Sequence, residues 1–135
     1  MDELLLEAFR ATTYLVAIDT LTWATVRIDL PPPAELLAVA GTRPWGIITA
    51  WNPQARRRAP AENLAAQRQL LAALQASPET VVLPAIGVGP SGWSEPSLFV
   101  AGVAVPTLDT LAREHAQLAY VHGLAGNHAE LRVLD

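Results

Sequence analysis

Three consecutive prolines, Pro31-Pro32-Pro33, constrain this chain more than any other feature. Proline has no backbone N–H to donate, so three in a row end any strand that reaches them. The run before them, residues 21–30, alternates. Trp23, Thr25, Arg27 and Asp29 fall on one face, and Ala24, Val26 and Ile28 on the other. A period of two predicts a half-buried strand. Residues 12–17 are rich in β-branched and aromatic side chains and predict a partner strand, with Asp19-Thr20 as the turn of a hairpin. On the other side of the prolines, their fixed φ suits the first turn of a helix. Residues 34–40 follow as that helix, with Gly41 in the C-cap position.

The same reasoning divides the rest of the chain. Residues 4–9 are apolar at helical spacing, with acids in the first turn, and predict a short helix. Residues 45–51 have the marks of a buried strand, ended by Asn52-Pro53. Pro60 opens the longest helix, to about residue 76, with Leu64, Leu71 and Leu74 at helical spacing and Leu70 beside them. Residues 80–86 resume extended structure. Residues 87–97 hold three glycines and two prolines and predict a loop. Residues 98–105 predict a strand, 106–115 a helix, and 118–121 and 131–134 two short strands. Strands arriving in pairs between helices imply one α+β domain over residues 1–135, a mixed or largely antiparallel sheet with helices packed on it. Strict strand–helix alternation, as in a doubly wound fold, is absent.

Composition narrows the function classes. With 51% hydrophobic and 16% charged residues, the chain has the makings of a core and not of a disordered segment. It has no cysteine, which excludes disulfides, thiolate catalysis and cysteine-ligated metal centres. A formal charge of −4 disfavours general nucleic-acid binding. Met1-Asp2-Glu3 carries acid where a secretory signal carries positive charge, and no window nears the roughly 18 apolar residues of a spanning helix. No membrane association and a cytoplasmic setting are expected.

Three segments place polar and aromatic residues where chemistry could be done. The first is Thr49-Ala50-Trp51-Asn52-Pro53, then Arg56, Arg57, Arg58, and Glu62-Asn63 beyond. It offers an amide at the sheet edge near a helix N-terminus, with guanidinium groups suited to phosphate or carboxylate. The plainer account makes Asn52 an Asx turn and the arginines a solvated run. The second is Gly92-Trp93-Ser94-Glu95-Pro96-Ser97. Trp93 covers either the core edge or a ligand. Glu95 acts either as a hydrogen-bonding group or base, or as an ordinary ion-pair or capping partner. The third is His115-Ala116-Gln117, where the histidine suits the helix dipole and Gln117 supplies both a donor and an acceptor.

Familiar catalytic signatures are missing. A Walker loop needs a lysine, and the chain has none; GxSxG and HExxH are also absent. The GVGPSG stretch lacks the strand–helix context of a dinucleotide fingerprint. His115, His122 and His128 are too scattered for a metal site, and Ser97, His115 and Asp109 are a trio that almost any chain could supply. No cofactor and no metal are expected.

The blocks TAWNP (49–53), Glu62-Asn63, GWSEPS (92–97) and Gln117-Leu118-Ala119, in this order and spacing, resemble a bacterial family of uncharacterised proteins, domain-of-unknown-function family 3293. The resemblance spans residues 12–134, implies no particular activity, and marks these blocks as the ones to follow. The expectation is a small-ligand site built by Asn52, Glu62, Asn63, Trp93, Glu95 and Gln117, for a polar, partly anionic metabolite or nucleotide. No nucleophile is identifiable, which leaves catalysis open. The alternative is a protein-interaction or homo-oligomerisation module, in which the polar blocks serve as turns and caps.

Overall fold

The structure is a computed structural model that describes residues 1–134. The chain runs α1 (Glu3–Arg10), β1 (Thr13–Ala17), β2 (Trp23–Arg27), α2 (Ala34–Ala40), β3 (Pro44–Ile48), a single 3-10 turn (Pro53–Ala55), α3 (Pro60–Leu74), β4 (Val81–Val88), β5 (Ser94–Ala101), α4 (Val105–Glu114), β6 (Ala119–Leu124) and β7 (Glu130–Val133). The seven strands form one sheet in the order β2-β1-β4-β5-β3-β6-β7, with every neighbouring pair antiparallel. This is the α+β architecture and the element order expected from the sequence.

Both faces of the sheet are used. One buries Tyr14 and Val16, Ala24 and Val26, Ala85, Phe99, Trp45 and Val121, with Leu36 and Ala40 of α2 packed over them. The other carries Ile48, Leu98, Val100 and Tyr120 against Leu70 and Leu74 of α3 and Leu108 and Ala112 of α4. Large side chains removed from water in this way contribute about 1.5–3 kcal/mol each. On the second face Asp109 accepts from the Tyr120 hydroxyl at 2.6 Å and pairs with Arg132 at 2.6 Å and 3.0 Å. The guanidinium beside Asp109 holds its carboxyl down to about 2. No helix of the described residues is long and apolar enough to cross a membrane.

Three expectations are corrected. Residues 87–97 are mostly strand: β4 runs to Val88 and β5 starts at Ser94, which leaves a loop of residues 89–93. Glycine and proline content misled because both residues have a place in this ladder. The Pro96 carbonyl accepts from the Thr49 hydroxyl at 2.8 Å, on the side where β3 has already ended. A strand residue's N–H and C=O point the same way, so proline here lacks a donor that no neighbour needs.

The second correction concerns α3. Its buried stripe is Asn63, Gln67, Leu70 and Leu74, while Leu64 is exposed. Apolar spacing missed this face because half of it is polar. Finally, β3 lies inside the sheet between β5 and β6, so Asn52 follows an interior strand and not an edge.

Candidate functional site

A row of four residues crosses the first face of the sheet. Val26 on β2 pairs with Tyr14 on β1, Tyr14 with Gly87 on β4, and Gly87 with Glu95 on β5. Gly87 supplies the space this row needs, since a Cβ there would lie 3.2 Å from Tyr14 Cε1 and 3.3 Å from Thr12 Cγ2. Tyr14 therefore lies across the bare glycine backbone toward Glu95, and Ser97 follows two residues on from Glu95 on the same face.

This row floors a pocket of about 320 Å³. The size is at the lower end of the range of about 300–1,000 Å³ common for small-molecule sites. From α1 it is lined by Leu5, Ala8 and Phe9, spaced to share one side of the helix. No residue of α1 is fully buried, so its apolar side faces the pocket and not a packed core. The helix is held at its ends. Asp2 accepts from the Leu5 N–H at 2.8 Å, and Arg27 of β2 donates to the Ala11 carbonyl at 3.3 Å. Ile47, Leu118 and Ala119 add apolar wall.

The remaining wall comes from the turn after β3. Asn52, Gln54 and Ala55 all have positive φ, at 45°, 59° and 58°. A non-glycine residue adopts that conformation only where its surroundings hold it. Here α3 does the holding. Asn63 Oδ1 accepts from the Asn52 N–H and from Arg58 Nε, both at 2.9 Å, and Asn63 Nδ2 donates to Asn52 Oδ1 at 2.7 Å. One turn on, Gln67 Oε1 accepts from the Ala50 N–H at 2.8 Å. Arg58 donates to the Ala50 carbonyl at 3.0 Å, and the Gln54 N–H to the Ala116 carbonyl at 2.8 Å.

Asn63→Ala removes this clamp and strands buried polar groups, so a loss of about 2 kcal/mol is expected. Urea denaturation measures it. Amide exchange should also quicken in residues 50–58, and unchanged exchange there would show that the turn holds itself.

The structure brings Asn52, Trp93, Glu95 and Gln117 to this one pocket, from three separated stretches of chain. Glu62 is exposed on α3 and does not line it, and Asn63 is buried behind the turn as a positioning residue. Of the three arginines, Arg57 lines the pocket from its exposed side, and Arg58 is bound to the turn instead of being solvated. His115 lies apart, in a groove between α3 and the end of α4. Sequence reasoning missed Tyr14, Gly87 and the wall from α1. No local pattern marks them, since they join the site through strand pairing and helix packing.

The electrostatics single out Glu95. It makes no side-chain hydrogen bond among the described residues, and burial pushes its carboxyl up to about 7. Burial, reinforced by the neighbouring Glu95 charge, also raises the Tyr14 phenol. Ser97 is buried, and its hydroxyl likewise has no partner among the described residues. Gln117 Nε2 is occupied by the Trp51 and His115 carbonyls, at 3.2 Å and 3.3 Å. Trp93 is 47% exposed and rests on Gly89, where a Cβ would meet the indole at 3.4 Å. Among the described residues no group of three or more His, Cys, Asp or Glu is placed to hold a metal ion.

Sheet, helical layers and pocket together define an α+β domain with an apolar cavity around a carboxyl that has no hydrogen-bond partner among the described residues. The chain belongs to the family described as protein of unknown function (DUF3293), whose model matches residues 48–120. That span contains the turn, the Trp93 hairpin and Gln117, while α1 and Tyr14 precede it. Comparison with curated proteins and with solved structures finds no match.

Proposed function

We propose that the domain binds a small polar, partly anionic metabolite or nucleotide through an apolar or aromatic body, in the pocket between α1 and the β1–β4–β5 floor. The observation that carries this reading is the convergence of Asn52, Trp93, Glu95 and Gln117 on one apolar cavity that also holds unpartnered polar groups. A pocket with a few convergent polar groups and a displaced carboxyl is the usual form of such a site. Arg57, at the exposed side, suits the anionic part of the ligand. The reading takes the bacterial cytoplasm as the setting, the origin being the one the family resemblance implies.

A thermal-shift screen against nucleotides and carboxylate metabolites tests it. A ligand at 100 times its dissociation constant should add about 2.7 kcal/mol of stability. Trp93→Ala should abolish that response while costing under about 1 kcal/mol, as for a half-exposed side chain outside the core. If the variant unfolds, or if it responds like the wild type, Trp93 is no part of a binding wall.

A second reading, a contact surface for another protein or a second copy, draws on the β1–β2 hairpin. Leu21 is 91% exposed and Trp23 56% exposed on the edge strand. A melting temperature that rises with protein concentration, and with none of the ligands, would favour it over the pocket.

A further inference from the structure

We propose that the inner end of the pocket is an amine site: Glu95, set against Tyr14 across Gly87, receives a cationic or N–H-donating head whose apolar body lies against α1 and Trp93. This rests on the pocket reading and names the chemistry of the ligand's buried end.

The first support is a count of donors and acceptors. Glu95 offers two carboxylate oxygens with no partner among the described residues. Gln117 Nε2 is spent on two backbone carbonyls, which leaves its Oε1 as a free acceptor. The Thr49 hydroxyl donates to the Pro96 carbonyl, and that of Thr12 to the Ala8 carbonyl, both at 2.8 Å. Donors are also unspent in the lining, on the Tyr14 and Ser97 hydroxyls, Asn52 Nδ2 and Trp93 Nε1, but all of these are neutral; Glu95 is the acidic group among the lining residues, and its oxygens accept from a ligand that brings hydrogens. The second support is where the charges sit. The titratable groups lining the pocket are Tyr14 from β1, Glu95 from β5, Tyr120 from β6 and Arg57 from the turn after β3. Tyr120 turns its hydroxyl to Asp109 on the other face, and the lining positions of α1 and of residues 117–119 are uncharged. Arg57 is exposed whereas Glu95 is partly buried beside the buried Tyr14, so the cation stands on the outer side of the pocket and the carboxyl deeper than it.

A partly buried carboxylate without a counter-charge is unfavourable, and an ammonium group supplies both that charge and hydrogens for its two oxygens. Tyr14 and Trp93 line the same pocket, and aromatic side chains attract a cation. A ligand carboxylate at the inner end would instead meet Glu95 as a like charge. The carboxyl of Glu95, displaced upward by burial, is consistent with this vacancy of charge. Amine binding then requires Glu95 to be ionised, so affinity should rise as pH goes from 6 to 8.

Three probes that share one phenylethyl body provide the test: phenethylamine, 2-phenylethanol and 3-phenylpropionate, titrated calorimetrically at pH 8. Phenethylamine should bind about tenfold more tightly than 3-phenylpropionate, the effect of one charge-assisted contact. Glu95→Gln should remove that preference, bringing phenethylamine and 3-phenylpropionate to within about twofold of each other. The variant should fold, since Glu95 gives up no hydrogen bond on replacement. Equal or tighter binding of 3-phenylpropionate, or an amine preference that survives in Glu95→Gln, overturns the amine site. If 2-phenylethanol binds in a Trp93-dependent way while the amine gains nothing, the pocket reading stands and the amine site falls. Should none of the three bind, the amine site is overturned, and the pocket reading stands or falls with the nucleotide and metabolite screen.

Discussion

Gly123→Ala is expected to destabilise the domain by about 3 kcal/mol or more, at the upper end of what overpacking a core costs. Gly123 on β6 pairs with Trp45 on β3, and the indole of Trp45 lies across it. A Cβ at position 123 would press against that ring, 2.6 Å from Cε2 and 2.9 Å from Nε1, well inside contact distance. Trp45 cannot move aside easily, since it is 1% exposed and stacks at 5.9 Å on Phe99 of the same core. A rigid ring also absorbs an intruding methyl less well than a flexible chain does. Thermal unfolding should show a fall of roughly 10 °C or more for a domain of this size. Trp45→Leu supplies the control. Alone it leaves a cavity, but combined with Gly123→Ala it should be no worse than either single change, because each relieves the other. A double variant whose loss equals the sum of the two would show that the clash is not the cause.

Gly123 also shows where sequence reading stops. The alternation in residues 21–30 could be read directly because β2 has one face in the core, and Ala24, Val26 and Ile28 are indeed the buried set. Helix ends were legible wherever proline or glycine stood at the cap, as at Gly41 and Pro60. Nothing near Gly123, however, says that a tryptophan 78 positions earlier lies against it; that follows from the β3–β6 register alone.

The candidate site divides in the same way. Asn52, Trp93, Glu95 and Gln117 stand out in sequence because each is a polar or aromatic residue beside glycine, proline or a helix end. Tyr14 and Gly87 do not, since the row from β1 through β4 to β5 exists only once three strands have paired. Asn63 stood out in the Glu62-Asn63 block, but its work did not, and Gln67 was not singled out at all. They are a polar stripe on a buried helix face because the turn they hold has backbone groups to satisfy. Apolar periodicity carries no trace of that demand.

Replacing Glu95 with glutamine should make the domain more stable at pH 8 while weakening the site proposed for it. The carboxyl sits at about 7 in the folded chain against 4.5 for the free group, because burial disfavours its charged form. Below pH 4.5 it is neutral in both states and adds no penalty. Between 4.5 and 7 the unfolded chain ionises first, so stability falls as pH rises, and above 7 the whole deficit is present. At about 1.4 kcal/mol per pKa unit, the deficit is of the order of 3 kcal/mol. Glutamine has nearly the same shape and never ionises, so the variant should match the wild type at pH 4 and exceed it by about this amount at pH 8. Urea denaturation at the two pH values measures the difference directly. An equal difference at both would mean that Glu95 is an ordinary hydrated carboxylate. The predicted result would instead reveal a residue kept at the expense of stability, as expected of a group placed for a ligand and not for the fold.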